Sequence, residues 1–146
     1  LSAVNSYSGG TWLNGANSKL TINGSGTLGS TSGTLLIDTL GTVLDLGTTS
    51  QTVGAVTLTA GTIQNGTLTG TSFDIAAGTL AISGSTLSSN ATTVDAGAAL
   101  SLAGGSFGAE SVNNAGTVSG HGTLAADLNS EGTLTGRGGT APAIAA

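Results

Sequence analysis

Aliphatic residues recur along this chain in short runs punctuated by glycine and threonine. The tripeptide Gly-Thr-aliphatic appears at Gly26-Thr27-Leu28, Gly41-Thr42-Val43, Gly61-Thr62-Ile63, Gly78-Thr79-Leu80, Gly116-Thr117-Val118, Gly122-Thr123-Leu124 and Gly132-Thr133-Leu134. Sorted by position, Gly26, Gly41, Gly61, Gly78, Gly97, Gly116 and Gly132 form one column, with spacings of 15, 20, 17, 19, 19 and 16 residues. A second column, Gly33, Gly47, Gly66, Gly84, Gly104, Gly122 and Gly138, trails the first by 5 to 7 residues. Each repeat therefore has two glycine corners, where tight turns favour positive φ.

Two aliphatic columns accompany the glycines. Two residues after the first glycine come Leu28, Val43, Ile63, Leu80, Ala99, Val118 and Leu134. Three or four residues before it come Ile22, Ile37, Leu58, Ile75, Val94, Val112 and Leu128. Both sets are expected in the core. The positions after the second set, Asn23, Asp38, Thr59, Ala76, Asp95, Asn113 and Asn129, are mostly Asn or Asp, which favour turns by bonding their own backbone.

A repeat of about 18 residues is too short for a βαβ unit or a propeller blade. It suits one coil of a stacked solenoid, in which no coil buries its apolar face alone. The fold expected is all-β: one single-stranded, right-handed parallel β-helix of about seven coils. At a strand spacing of ~4.8 Å it would form a rod roughly 35 Å long. The whole of 1–146 reads as one domain, with a less regular, capping N-terminal part (1–25), regular coils over 26–139 and a divergent tail at 140–146. Leu44 and Leu46 beside Val43 suggest a bulge, and Ser85 to Thr93 reads as a polar outer segment. The tail holds the only proline, Pro142, and reads as a tail, a cap or a strand passed to a neighbour.

Composition narrows the function. The chain has 146 residues, 26 of them Gly, with a mean hydropathy of +0.31 and few charges, opposite to the usual signature of disorder. Long polar helix formers are scarce. The net charge is -5 and the only basic residues are Lys19 and Arg137. That balance argues against nucleic acid and against an anionic membrane surface. No apolar run approaches the ~18 residues that span a bilayer, so no membrane insertion is expected. Without Cys there is no disulfide scaffold and no thiolate metal site. The chain does not open on Met, so Leu1 reads as an internal or processed start.

With the repeat in hand, the stretch Asn5-Ser6-Tyr7-Ser8-Gly9-Gly10-Thr11 resembles the opening of the autotransporter-associated β-strand repeat. Residues Val112 to Gly136 and Leu44 to Gly70 look like the Asn-rich, Gly-Thr rungs of autotransporter passengers and other large bacterial surface β-helices. The resemblance covers most of the chain. It implies a β-helix exported to the bacterial surface or the medium. Passengers of that kind are adhesins, self-associating proteins, enzyme carriers or plain stalks, and normally precede a C-terminal β-barrel translocator.

No catalytic constellation stands out. The acids are Asp38, Asp45, Asp74, Asp95, Glu110, Asp127 and Glu131. None forms a D-x-D or D-D pair of the kind that would set two carboxyls on one sugar. His121, between Gly120 and Gly122, is expected at an exposed corner with neither orienter nor nucleophile beyond nearby Ser119. Gly9-Gly10, Gly104-Gly105 and Gly138-Gly139 lack the Asp of a calcium roll. The pairs Thr57/Thr59, Thr67/Thr69 and Thr133/Thr135 raise an ice-binding face, but they sit at different places relative to the glycines. Tyr7 and Trp12 are expected to cap the open end of the core, with an adhesive patch as the alternative. The reading is therefore a non-catalytic extracellular structural or adhesive module that self-associates. The alternative is a subunit of a head-to-tail filament. Ice binding and polysaccharide-acting chemistry rank behind these. No cofactor or metal is expected. The partners expected are the chain itself, head-to-tail or laterally, and a carbohydrate or other surface.

Overall fold

The computed structural model describes residues 1–136. Fourteen strands follow one another: β1 (Thr11–Leu13), β2 (Lys19–Thr21), β3 (Leu35–Ile37), β4 (Val43–Asp45), β5 (Ser50–Thr52), β6 (Ala55–Leu58), β7 (Gly61–Gln64), β8 (Thr67–Thr69), β9 (Ser72–Ile75), β10 (Thr79–Ser83), β11 (Thr86–Val94), β12 (Ala99–Asn114), β13 (Thr117–Ser130) and β14 (Thr133–Gly136). The described residues contain no helix. Gly and Thr interrupt every aliphatic run, which leaves no segment able to sustain one.

All the strand pairs are parallel and join segments one repeat apart, which makes the chain a parallel β-solenoid of about five turns. The pairs fall into three ladders. The first runs β1-β3-β6-β9 and continues through the C-terminal ends of β11, β12 and β13. The second runs β2-β4-β7-β10, then the starts of β12 and β13, and ends on β14. The third joins β5 and β8 to the start of β11 and the middles of β12 and β13. The long strands β11, β12 and β13 bend round corners and serve more than one ladder. Ser85 to Thr93 thus lies largely in β11, where Leu87 and Thr92 point inward and are buried between exposed or half-buried neighbours.

The interior is a continuous column of Leu, Ile and Val, with two aromatics. Phe73 and Phe107 meet edge to face, with ring centroids 5.4 Å apart and planes at 80°, a favoured aromatic geometry. Alternation within each short strand sends one side chain inward and the next outward.

The register differs from the expected columns in detail. Ile37, Leu58, Ile75 and Val94 do stack, beginning from Leu13. The next places are taken by Asn114 and Ser130. Val112 and Leu128 sit two residues away, in the column of Leu35, Val56, Phe73 and Thr92. Ile22 belongs to the second ladder, where its N–H donates to Asp45 O at 2.8 Å. In the other set, Leu80, Val118 and Leu134 share a column with Leu100, but Leu134, on the last described strand with nothing stacked above it among the described residues, is exposed and not in the core, and Ala99 points the other way. Ile63 stacks one column over, with Leu20, Leu44, Ile82 and Leu102. Val43 faces outward and is only half-buried; Leu44 and Leu46 hold the inner places, so regular alternation replaces the expected bulge. Register shifts occur instead at Ile82/Ser83, Ala103/Ser106 and Gly108/Ser111. Leu28 lies on the third side, against Gln51.

The glycine column is likewise broken. Gly116 and Gly132 align, because Thr117 and Thr133 after them are partners; Gly78 aligns with Ala98 and Gly116. Gly97 falls one residue early and Gly41 one residue late, Gly61 pairs with Leu80, and Gly26 sits at a different corner beneath Leu1. Gly138 and the tail at 140–146 lie outside the described residues. Of the expected turn positions, Asp38, Thr59, Ala76 and Asp95 do share one corner, each N–H bonding the strand below; Ala115 and Glu131 follow them, not Asn113 and Asn129. The physical reason is common to all these shifts. Corners absorb different numbers of residues from coil to coil, so a tripeptide of fixed sequence meets the ladder at different phases. A slip of one residue then exchanges inside for outside.

Candidate functional site

The densest polar cluster lies where β2, β4 and β7 stack. Asp45 Oδ1 accepts from Gly47 N at 3.0 Å and from Asn65 Nδ2 at 2.8 Å. Asp45 Oδ2 accepts from Gln64 Nε2 at 2.9 Å and lies 2.8 Å from Lys19 Nζ. Asn65 reaches it from a left-handed backbone (φ 59°), which Asn tolerates. The Asn65 amide first, then Lys19, Gln64 and the Gly47 N–H, hold the carboxyl well below the usual carboxylate range. Four donors engage the carboxylate on both oxygens. The group is thus a clasp joining three strands and is poorly suited to accept a proton.

The remaining acids are dispersed. Asp38 Oδ2 accepts from Trp12 Nε1 at 2.7 Å, and Asp38 Oδ1 accepts from Thr39 Oγ1 at 2.8 Å. Among the described residues no three His, Asp or Glu side chains converge as metal ligands. His121 is exposed beside Ser119, as the glycines around it suggest, in a cleft of about 340 Å³ lined by Ser101, Leu102, Ala103, Ser119 and Gly120. No carboxylate lines that cleft to orient an imidazole. A second, shallower hollow of about 230 Å³ is bordered by Thr93, Asn113, Asn129 and Glu131.

Two outward rows are longer than these clefts. On the third ladder Ser50/Thr52, Thr67/Thr69 and Thr86/Ser88 align as hydroxyl pairs. The second row then ends on Gly108 and Ala125, and Thr69 Oγ1 is bonded to Ser88 Oγ at 3.0 Å. Thr57/Thr59 and Thr133/Thr135 lie on other ladders. On the first ladder the outward row runs Trp12, Leu36, Thr57, Asp74, Thr93, Asn113, Asn129. Trp12 stands at its start with 62% of its surface exposed, so it projects sideways and does not close the end of the core. Tyr7 is also exposed, its hydroxyl 2.7 Å from Thr11 Oγ1 and its ring over Gly29.

Sequence reasoning missed the Trp12–Asp38 bond and the Asp45 clasp. The signal for the first was available: Trp12 alternates with Thr11 and Leu13, and alternation sends it to the face opposite the inward Leu13.

No protein-family model matches the chain, and no curated protein or solved structure is significantly similar to it. What the fold and surfaces define is a β-solenoid with a small-residue, hydroxyl- and amide-rich exterior.

Proposed function

We propose that the chain is a non-catalytic structural and adhesive module of the bacterial cell surface or the extracellular medium, built as a right-handed β-helix of seven coils of about 18 residues, of the kind found in autotransporter passengers. The observation that supports this reading best is the continuous set of parallel ladders. It gives a stiff element whose stability is spread along its length by stacking, with Thr, Ser and Asn facing outward. The ionisable groups with the closest contacts serve the scaffold: Asp45 clasps three strands and Asp38 anchors Trp12. Self-association and broad, weak binding to carbohydrate or surfaces follow from a low-charge exterior, where little repulsion opposes contact.

A second reading, a subunit of a head-to-tail filament, is favoured by one feature. Among the described residues the first and second ladders start on β1 and β2 at one end and finish on β13 and β14 at the other, and strand edges template further pairing.

Electron microscopy with light scattering over a concentration series tests both. Short rods that associate laterally support the module. Long unbranched fibres with an axial repeat of ~4.8 Å support the filament. Globular particles, or release of reducing ends from polysaccharide that a single carboxylate substitution abolishes, would overturn the non-catalytic rod.

A further inference from the structure

We propose that the outward row of the first ladder is a binding surface for a linear, uncharged saccharide, with Trp12 as its stacking platform. The inference rests on the adhesive reading above and gives it a location and a ligand chemistry.

Trp12 is the chain's only tryptophan, and 62% of its surface is exposed. Its indole N–H is already satisfied by Asp38, which also fixes the ring's orientation. What remains exposed is therefore ring surface, held in place before any partner arrives. Aromatic rings with few rotatable bonds lose little entropy on binding, which makes them effective anchors. Leu36 is the next residue of the row and extends the apolar footing by one strand.

Beyond that footing the row turns polar. Thr57, Asp74, Asn113 and Asn129 follow along the long axis at the strand spacing of ~4.8 Å. Amides and hydroxyls that both donate and accept suit the hydroxyls of a sugar chain. Asp38 adds acceptors, since each carboxylate oxygen keeps a lone pair after bonding Trp12 or Thr39. Charge selects further. In the segments that pair in this ladder, which are β1, β3, β6, β9 and the C-terminal ends of β11, β12 and β13 from Ala91, Ser111 and Asp127 onward, there are carboxylates at Asp74 and Asp127 and no Lys, Arg or His. Uronic acids, nucleic acids and anionic lipids are repelled there. A neutral chain with one apolar ring face and many hydroxyls is the partner that fits.

The single tryptophan makes the test specific. Cellohexaose and the hexamer of N-acetylglucosamine are titrated into the whole chain while Trp12 emission and its quenching by iodide are followed. At least one of the two is expected to shift the emission and shield the ring. Calorimetry on Trp12→Ala is expected to show affinity reduced about tenfold or more, the size of a lost aromatic contact, with an unchanged circular dichroism spectrum because Trp12 lies outside the core. Asp38→Ala is expected to lower the anisotropy of the emission and weaken binding. The proposal is overturned if neither oligosaccharide perturbs the wild-type emission, or if Trp12→Ala binds as well as wild type. It is equally overturned if Trp12→Ala abolishes self-association without sugar, since the row would then be a contact between copies. Rods that form normally but bind neither probe sink this site alone; absence of rods sinks the reading on which it rests.

Discussion

The side-chain amide of Gln51 bridges to the backbone of Leu28, its Oε1 accepting the Leu28 N–H at 2.9 Å across 23 residues of chain. The same amide donates from Nε2 to Gly26 O at 3.0 Å and to Thr49 Oγ1 at 2.9 Å. Gln51 occupies the inward column that Leu68, Leu87, Phe107 and Leu124 continue. Where the third ladder begins, at β5, the segment beneath is not a strand, so a side chain supplies the bonds a strand would make. Gln51→Leu matches the column chemically but strands the Leu28 N–H and the Gly26 carbonyl in the interior. It should cost about 2 kcal/mol, read by urea unfolding, with faster amide exchange at Leu28. A variant as stable as wild type would show the bridge to be idle.

Two glycines test two different reasons for glycine. Gly84 has φ +62° with open space where a Cβ would stand. Gly116 has no positive φ, yet a Cβ there would run into the carbonyl oxygens of Ala98 and Asp95. Gly84→Ala should cost about 1–2 kcal/mol of backbone strain, and Gly84→Asn less, because Asn tolerates that conformation. Gly116→Ala should cost about 3 kcal/mol by forcing strands apart, and Asn should rescue nothing. Thermal unfolding of the four variants decides; equal rescue at both positions would refute the distinction.

How much of this was legible in the sequence depends on the residue. The solenoid itself follows from glycine and aliphatic periodicity, and Ile37, Leu58, Ile75 and Val94 stack as their spacing indicates. Periodicity alone cannot fix the phase at a corner. Val43 was an attractive core residue because it follows Gly-Thr, yet the strand turns Leu44 and Leu46 inward and leaves Val43 at the surface. Val112 looked like the successor of Val94, but the corner before it shifts the ladder and delivers Asn114. The surface was harder still. Trp12 and Asp38 are 26 residues apart and meet only because one coil lies on the next. The same is true of Lys19, Asp45 and Gln64. No local spacing reveals such pairs until the register is known.

The Asn114 position carries its own prediction. Its side chain is buried in the column above Val94, Nδ2 donates to Ser130 Oγ at 2.9 Å, and Oδ1 has no hydrogen-bond partner. An unpaired buried carbonyl costs more than one modest hydrogen bond returns. Asn114→Val continues the aliphatic stack and leaves Ser130 Oγ the Gly132 carbonyl at 3.4 Å. Stability should rise by about 1 kcal/mol, seen as a higher melting temperature. A fall would mean that the Ser130 bond outweighs the unpaired oxygen.

The Asp45 clasp makes the stability of the whole rod respond to acid. Its carboxyl, ordinarily at 3.8, is lowered in the folded chain by its four donors, the Asn65 amide foremost. The unfolded chain therefore takes up the proton first. The stabilisation is complete above the ordinary value and fades as the pH falls from about 5 into the strongly acidic range. Wild type should lose melting temperature over that window faster than Asp45→Asn, which has no charge to lose and should be less stable by about 2 kcal/mol at neutral pH. Lys19→Ala should cost only about 0.5 kcal/mol, because Lys19 is 50% exposed and the amide and backbone donors remain. Melting curves for the three chains between pH 7 and pH 2 separate these contributions. Parallel pH profiles for wild type and Asp45→Asn would remove Asp45 as the acid-sensitive group. A Lys19→Ala loss as large as that of Asp45→Asn would place the clasp's strength in the ion pair instead of the hydrogen bonds.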